Sequence, residues 1–223
     1  MTQPPPTPAP TIGKVTFTGI PEAAFDFYDD LEADNSKTFW TAHRQTYDDA
    51  VRAPMTALAE ALGEQFGEAK VFRPNRNLRF SPDKSPYKTH QGVFVKAAEA
   101  TGWYVEVSAA GVLVAAGCYY ADSAALKAIR AGIDSADGAE LERIVGELAS
   151  RGWEFMGEEL KTVPRGYSPD NPRIDLLRRK SMVLSTSYGF APFVRTPELL
   201  DRVRSDWEAG RPLVEWVADH LER

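Results

Sequence analysis

Three apolar runs, residues 92–98, 102–108 and 112–120, follow one another with only a few residues between them. Gly102 and Ala109-Ala110-Gly111 punctuate them as turns. In the second run Trp103, Val105 and Val107 alternate with Tyr104, Glu106 and Ser108, the pattern of a strand with one face buried. Connections this short exclude parallel crossovers, so the runs pair as neighbours in an antiparallel meander.

Helical spacing flanks the meander on both sides. A helix is predicted from Pro21, with Ala24, Phe27, Tyr28 and Leu31 on one face. After Asp34-Asn35-Ser36, Trp40, His43, Tyr47, Val51, Met55, Leu58, Leu62 and Phe66 predict a long amphipathic helix, or two meeting at Pro54. Downstream, Leu126, Ile129 and Ile133 share a face, and Asp137 and Glu140 resemble a capping box. Further expectations are a short helix opened by Pro172, a strand at 181–188, a helix capped by Thr196-Pro197, and a last helix from Pro212. The segment 71–80 is a candidate extra strand. The fold class expected is α+β: an antiparallel meander sheet with helices before and after it, packed mainly on one face. Residues 1–11, with five prolines, read as a disordered tail ahead of a single domain over 12–223.

At 43% apolar residues the chain can bury a large core, and no uncharged apolar stretch is long enough to cross a membrane. The start lacks Lys, Arg and an apolar run, so no secretory signal is expected there. A lone cysteine, Cys118, fits a reducing cytoplasm and reads as a small core residue. The net charge of −6 argues against general binding to nucleic acid or membrane surfaces. Yet the basic residues cluster. Residues 70–90 hold Lys70, Arg73, Arg76, Arg79, Lys84 and Lys88 against Asp83 alone. Residues 161–180 hold Lys161, Arg165, Arg173, Arg178, Arg179 and Lys180 against Asp170 and Asp175. Basic islands on an acidic chain point to a local anion site, or to loops whose charges pair with acidic neighbours.

The richest chemistry lies between Arg76 and Thr89. Pro82 and Pro86 stiffen a loop that carries Arg79, Ser81, Lys84, Ser85, Tyr87 and Lys88. Guanidinium forks, ammonium charges, hydroxyls and free backbone N–H groups are the parts of an anion nest. Asp83 is the orienting carboxylate, or else the anchor of a loop that holds no ligand. Arg165, in Pro164-Arg165-Gly166-Tyr167, is expected to reach the same pocket. His43 reads first as a hydrogen-bonded core histidine, and His43 and Tyr87 are the proton-transfer candidates. His90 borders the motif and His220 reads as surface. The scattered histidines show no zinc spacing and neither standard nucleotide-binding glycine loop occurs, so neither metal nor cofactor is expected.

The run Arg79-Phe80-Ser81-x-Asp83-Lys84-x-Pro86-Tyr87-Lys88-Thr89 resembles the signature of the family catalogued as domain of unknown function 2461. Asn35, Phe39-Trp40, Gly117, Pro164-Arg165-Gly166-Tyr167 and Leu176-Leu177 are similar too, so the likeness extends over roughly residues 16–222. It implies no activity, cofactor or catalytic residue. Where that pattern usually reads Asp-His-Pro, this chain has Asp170-Asn171-Pro172, which puts in doubt a required histidine there.

The leading expectation is an anionic, phosphate-bearing small ligand bound by Arg76, Arg79, Ser81, Asp83, Lys84, Tyr87, Lys88 and Arg165, with any catalysis electrostatic. The alternatives are a non-catalytic module docking an acidic partner, and a single-stranded nucleic-acid binder stacking bases on Phe72, Phe80 and Tyr87. A concave pocket favours the first, and a flat basic face the second.

Overall fold

The computed structural model describes residues 16–77, 79 and 83–222. The expected tail, Phe80 and Ser81 lie outside these residues. Helix α1 (Glu22–Ala33) follows Pro21 and buries Ala24, Phe27, Tyr28 and Leu31, as the spacing predicts. Ser36 caps α2 (Lys37–Ala42) by accepting the Phe39 N–H. The expected long helix is broken well before Pro54. A short turn, α3 (Arg44–Thr46), leads into a π-helical stretch at Tyr47–Arg52, and Pro54 sits in the first turn of α4 (Ala53–Phe66). The wider π turn buries Tyr47, Ala50 and Val51 together. It also brings the Tyr47 hydroxyl to the buried Gln91 side chain, to which it donates at 2.7 Å.

Strand β1 (Ala69–Val71) overlaps the predicted 71–80 segment only at Val71. The meander follows as β2 (His90–Ala98), β3 (Thr101–Ser108) and β4 (Gly111–Cys118). Helices α5 (Ser123–Asp134) and α6 (Gly138–Ser150) precede β5 (Glu154–Phe155), a strand too short to leave a periodic signal. The rest comprises α7 (Ile174–Leu177), β6 (Met182–Gly189), a 3-10 turn (Pro192–Arg195) and α8 (Glu198–Leu221). All pairings are antiparallel, in the order β1-β2-β3-β4-β6-β5. The class is α+β.

Register sorts the faces. Val93, Val105 and Val114 oppose one another, as do Val95, Trp103 and Ala116, and these side chains are buried where α1, α4 and α8 pack. Gly210 of α8 lies so close to β4 that an added Cβ would stand 2.6 Å from that of Ala116. Phe94, Tyr104 and Ala115 occupy the opposite face.

Three local expectations fail for tertiary reasons. Pro212 does not divide the last segment: α8 runs through it, because Trp207, Leu213, Val214 and Val217 together bury a continuous face worth more than the ~3 kcal/mol of an interior proline. Asp137 makes no side-chain cap on α6; its carboxylate stands 3.3 Å from His220 Nε2. His220 is buried rather than superficial, stacked on Trp216 at 3.9 Å and donating through Nδ1 to the Trp216 carbonyl. Cys118 is buried, and burial pushes its thiol pKa up. No helix among the described residues is long and apolar enough to cross a membrane.

Candidate functional site

The chain between β1 and β2 leaves the sheet and returns to it as a strap. Asn75 and Tyr87 form an antiparallel bridge at its stem, flanked by Arg76 N–H to Pro86 O at 2.9 Å and Lys88 N–H to Pro74 O at 2.8 Å. Asn35 grips the stem from the α1–α2 junction, accepting the Tyr87 N–H and donating to the Tyr87 carbonyl. The Tyr87 ring is buried and lies flat on Trp40, ring centres 4.0 Å apart. Arg76 donates through Nε and Nη2 to the Tyr87 carbonyl and through Nη1 to Asp83. Asp83 also accepts the Ser85 N–H and hydroxyl, which hold its carboxyl below the usual carboxylate range. Much of the motif is therefore spent on building the strap.

The base of the strap borders a cleft of about 670 Å³ on the sheet face opposite α8. Its floor is small: Ala115 and Gly117 from β4, Gly102 from β3 and Val183 from β6. Phe72, Phe94 and Tyr104 line it, and Tyr119 and Tyr120 stand where β4 ends. One end holds Arg76, Lys88, His90 and Glu106. Lys88 Nζ stands 5.0 Å from the Phe72 ring centre, on which Lys70 also converges at 5.7 Å. Burial lowers the Lys88 pKa below that of a free lysine, and the nearby positive charges of Arg73, Arg76 and Lys70 lower it further.

Beside it Tyr104 donates its hydroxyl to Glu106 at 2.6 Å, and His90 Nε2 is 4.0 Å from the same carboxylate oxygen. Burial and the adjacent carboxylate raise the Tyr104 phenol pKa. Burial pushes His90 below the usual imidazole value; Glu106 opposes this, while Lys88 and Arg76 add to it. An imidazole titration followed by NMR should thus have its midpoint below about 6.5. Between that midpoint and 6.5 the unfolded chain binds more protons, so His90's contribution to stability is complete above about pH 6.5 and lost as pH falls through the folded value. A midpoint at or above 6.5 would show that Glu106 outweighs burial. The cleft thus brings a half-buried ammonium, Lys88, close to an imidazole, His90, that faces the Glu106 carboxylate.

Of the residues singled out in the sequence, the structure places Arg76 and Lys88 in the cleft, with Thr89 and His90 beside them. Arg79, Asp83 and Lys84 are exposed on the strap and do not line it. Ser81 lies outside the described residues. Tyr87 is core. His43 is half-buried, stacked on Phe39 at 4.0 Å with Nδ1 donating to the Phe39 carbonyl, and also lies outside the cleft. Arg165 is exposed on its turn and is not a lining residue. Four of the six basic residues of its island pair locally: Arg173 with Glu142, Arg178 and Arg179 with Glu159, and Lys180 with Glu158. Asn171 bonds Asp134 and the Arg173 N–H, a structural duty. Phe94, Tyr104, Glu106, Tyr119 and Tyr120 escaped sequence reasoning as site residues. The outward alternation of β3 was the available signal, since its register places Tyr104 between Phe94 and Ala115. Among the described residues no group of three or more His, Cys, Asp or Glu side chains is placed to hold a metal.

A family model described as conserved hypothetical protein, domain of unknown function 2461, matches residues 23–216. Comparison with curated proteins and with solved structures found no match.

Proposed function

The chain belongs to the family of domain of unknown function 2461, and from the cleft we propose that it binds a small anionic ligand, such as a phosphate monoester, over the open face of the sheet. The observation that carries this reading is Lys88: a half-buried ammonium inside a concave cleft, with Arg73, Arg76 and Lys70 adding positive potential around it. Arg76, pinned by Asp83 and the Tyr87 carbonyl, contributes a fixed charge rather than a mobile fork. Glu106, held by the Tyr104 hydroxyl, is suited to accept a hydrogen bond from a ligand hydroxyl or N–H. We assign this role to a reducing cytoplasm on the strength of the single buried thiol. The concave shape supports a small ligand over a docked acidic partner. Burial of Tyr87 against Trp40 weakens the base-stacking alternative.

The test is a thermal-shift screen of phosphate monoesters and carboxylates against wild type, Lys88→Ala and Lys84→Ala. A ligand at 100 times its Kd adds ~2.7 kcal/mol, roughly 5 to 10 °C for a chain of this size. Lys88→Ala is expected to lose at least about tenfold in affinity, and Lys84→Ala less than about twofold. Equal losses at both lysines would move the site to the exposed strap and favour an acidic partner. No shift with any anion would remove the proposal.

A further inference from the structure

We infer that the half of the cleft away from Lys88 is a ring-binding slot, so that the ligand is a planar aromatic or heteroaromatic ring joined to an anionic group. The inference rests on the reading that Lys88 holds an anion, and adds what that anion is attached to.

The floor is close to bare backbone. At Gly102 an added Cβ would stand 2.0 Å from the Val95 carbonyl oxygen, and at Gly117 2.1 Å from that of Met182. Strand pairing therefore holds these positions free of side chains, and Ala115 between β3 and β6 adds only a methyl group. At Gly102, Ala115 and Gly117 the floor thus carries no side chain larger than a methyl group. Around it the apolar lining is chiefly aromatic: Phe72, Phe94, Tyr104, Tyr119 and Tyr120. Phe72 and Tyr104 have ring centres 6.4 Å apart at the cationic end.

Tyr119 and Tyr120 carry the argument furthest. They are 74% and 69% exposed, against a chain whose other tyrosines are buried or half-buried. Two adjacent large rings exposed beside a cleft form a contiguous patch of the kind that marks a binding surface. Aromatic faces favour a flat π surface over a flexible alkyl chain, which would be better served by aliphatic walls. A volume of about 670 Å³ suits a ring system with its anionic group attached, and is far larger than free phosphate requires.

The experiment is calorimetric titration of wild type, Tyr119→Ala/Tyr120→Ala, Tyr119→Phe/Tyr120→Phe and Lys88→Ala with 1-naphthyl phosphate, glucose 6-phosphate and inorganic phosphate. In wild type 1-naphthyl phosphate should bind at least about tenfold tighter than the other two. The double alanine variant should lose that advantage while its binding of inorganic phosphate stays unchanged, and the double phenylalanine variant should keep it. Because both side chains are exposed, folding is expected to survive, and the unchanged phosphate affinity reports it. Equal affinities for the three probes, or a double alanine variant that retains the preference, would overturn the ring slot and leave the anion site standing. Binding of 1-naphthyl phosphate that Lys88→Ala leaves untouched would instead overturn the anion reading.

Discussion

Tyr87→Ala is expected to lower the melting temperature by about 10 °C in the absence of any ligand. The ring is buried, stacked on Trp40, and belongs to the main core. Removing a buried aromatic ring costs about 3–5 kcal/mol, and each kcal/mol moves the melting point by roughly 2–4 °C at this length. Tyr87→Phe keeps the stack and should stay within about 1 kcal/mol of wild type. Asn35→Ala should act in the same direction, since it removes both side-chain bonds to the Tyr87 backbone. Calorimetric melting of the three variants decides the matter. A Tyr87→Ala protein that melts like wild type yet fails to bind anions would return the ring to the binding site.

Gly117→Ala is expected to cost about 3 kcal/mol or more and to deform the cleft floor. Gly117 has φ of 122°, a region that side chains with a Cβ rarely enter, and the added methyl would meet the Met182 carbonyl oxygen across the β4–β6 pairing. Strand β6 would have to move away, weakening the sheet where Val183 completes the floor. Gly146→Ala is the contrasting control. It lies in α6 with nothing within 4 Å of an added Cβ, so alanine should stabilise by roughly 0.5–1 kcal/mol. Chemical denaturation of the pair gives opposite signs if the strain argument holds. A neutral Gly117→Ala would show that the β4–β6 register is soft.

Local pattern carried far in this chain where the determinant was local. The alternation of Trp103, Val105 and Val107 with Tyr104, Glu106 and Ser108 reports which side of β3 faces the helices, because the period of a strand is two wherever the strand lies. The spacing after Pro21 and that of Leu126, Ile129 and Ile133 report helices for the same reason. Pattern failed where competition between distant groups decides. Pro212 breaks isolated helices, but in α8 the burial of Trp207, Leu213 and Val217 prevails. Asp137 and Glu140 have the spacing of a capping box, but Asp137 is turned toward His220.

The candidate site divides along the same line. That basic and hydroxyl-bearing residues cluster between Lys70 and Thr89 is a property of the sequence alone, as are the small residues at Gly102, Ala115 and Gly117. Which of these donors face the cleft was decided by tertiary structure. Asn35 and Trp40 take the Tyr87 backbone and ring into the core, Asp83 and the Tyr87 carbonyl consume Arg76, and Lys88 is left in the cleft. The cleft itself is assembled from the strap, β2, β3, β4, β6 and Met156, segments that sheet pairing and the anchoring of the strap on Asn35 and Trp40 bring together. Periodicity encodes how each segment buries its own face. The direction in which a side chain donates its hydrogen bonds depends on partners brought in from far along the chain, and no local pattern records them.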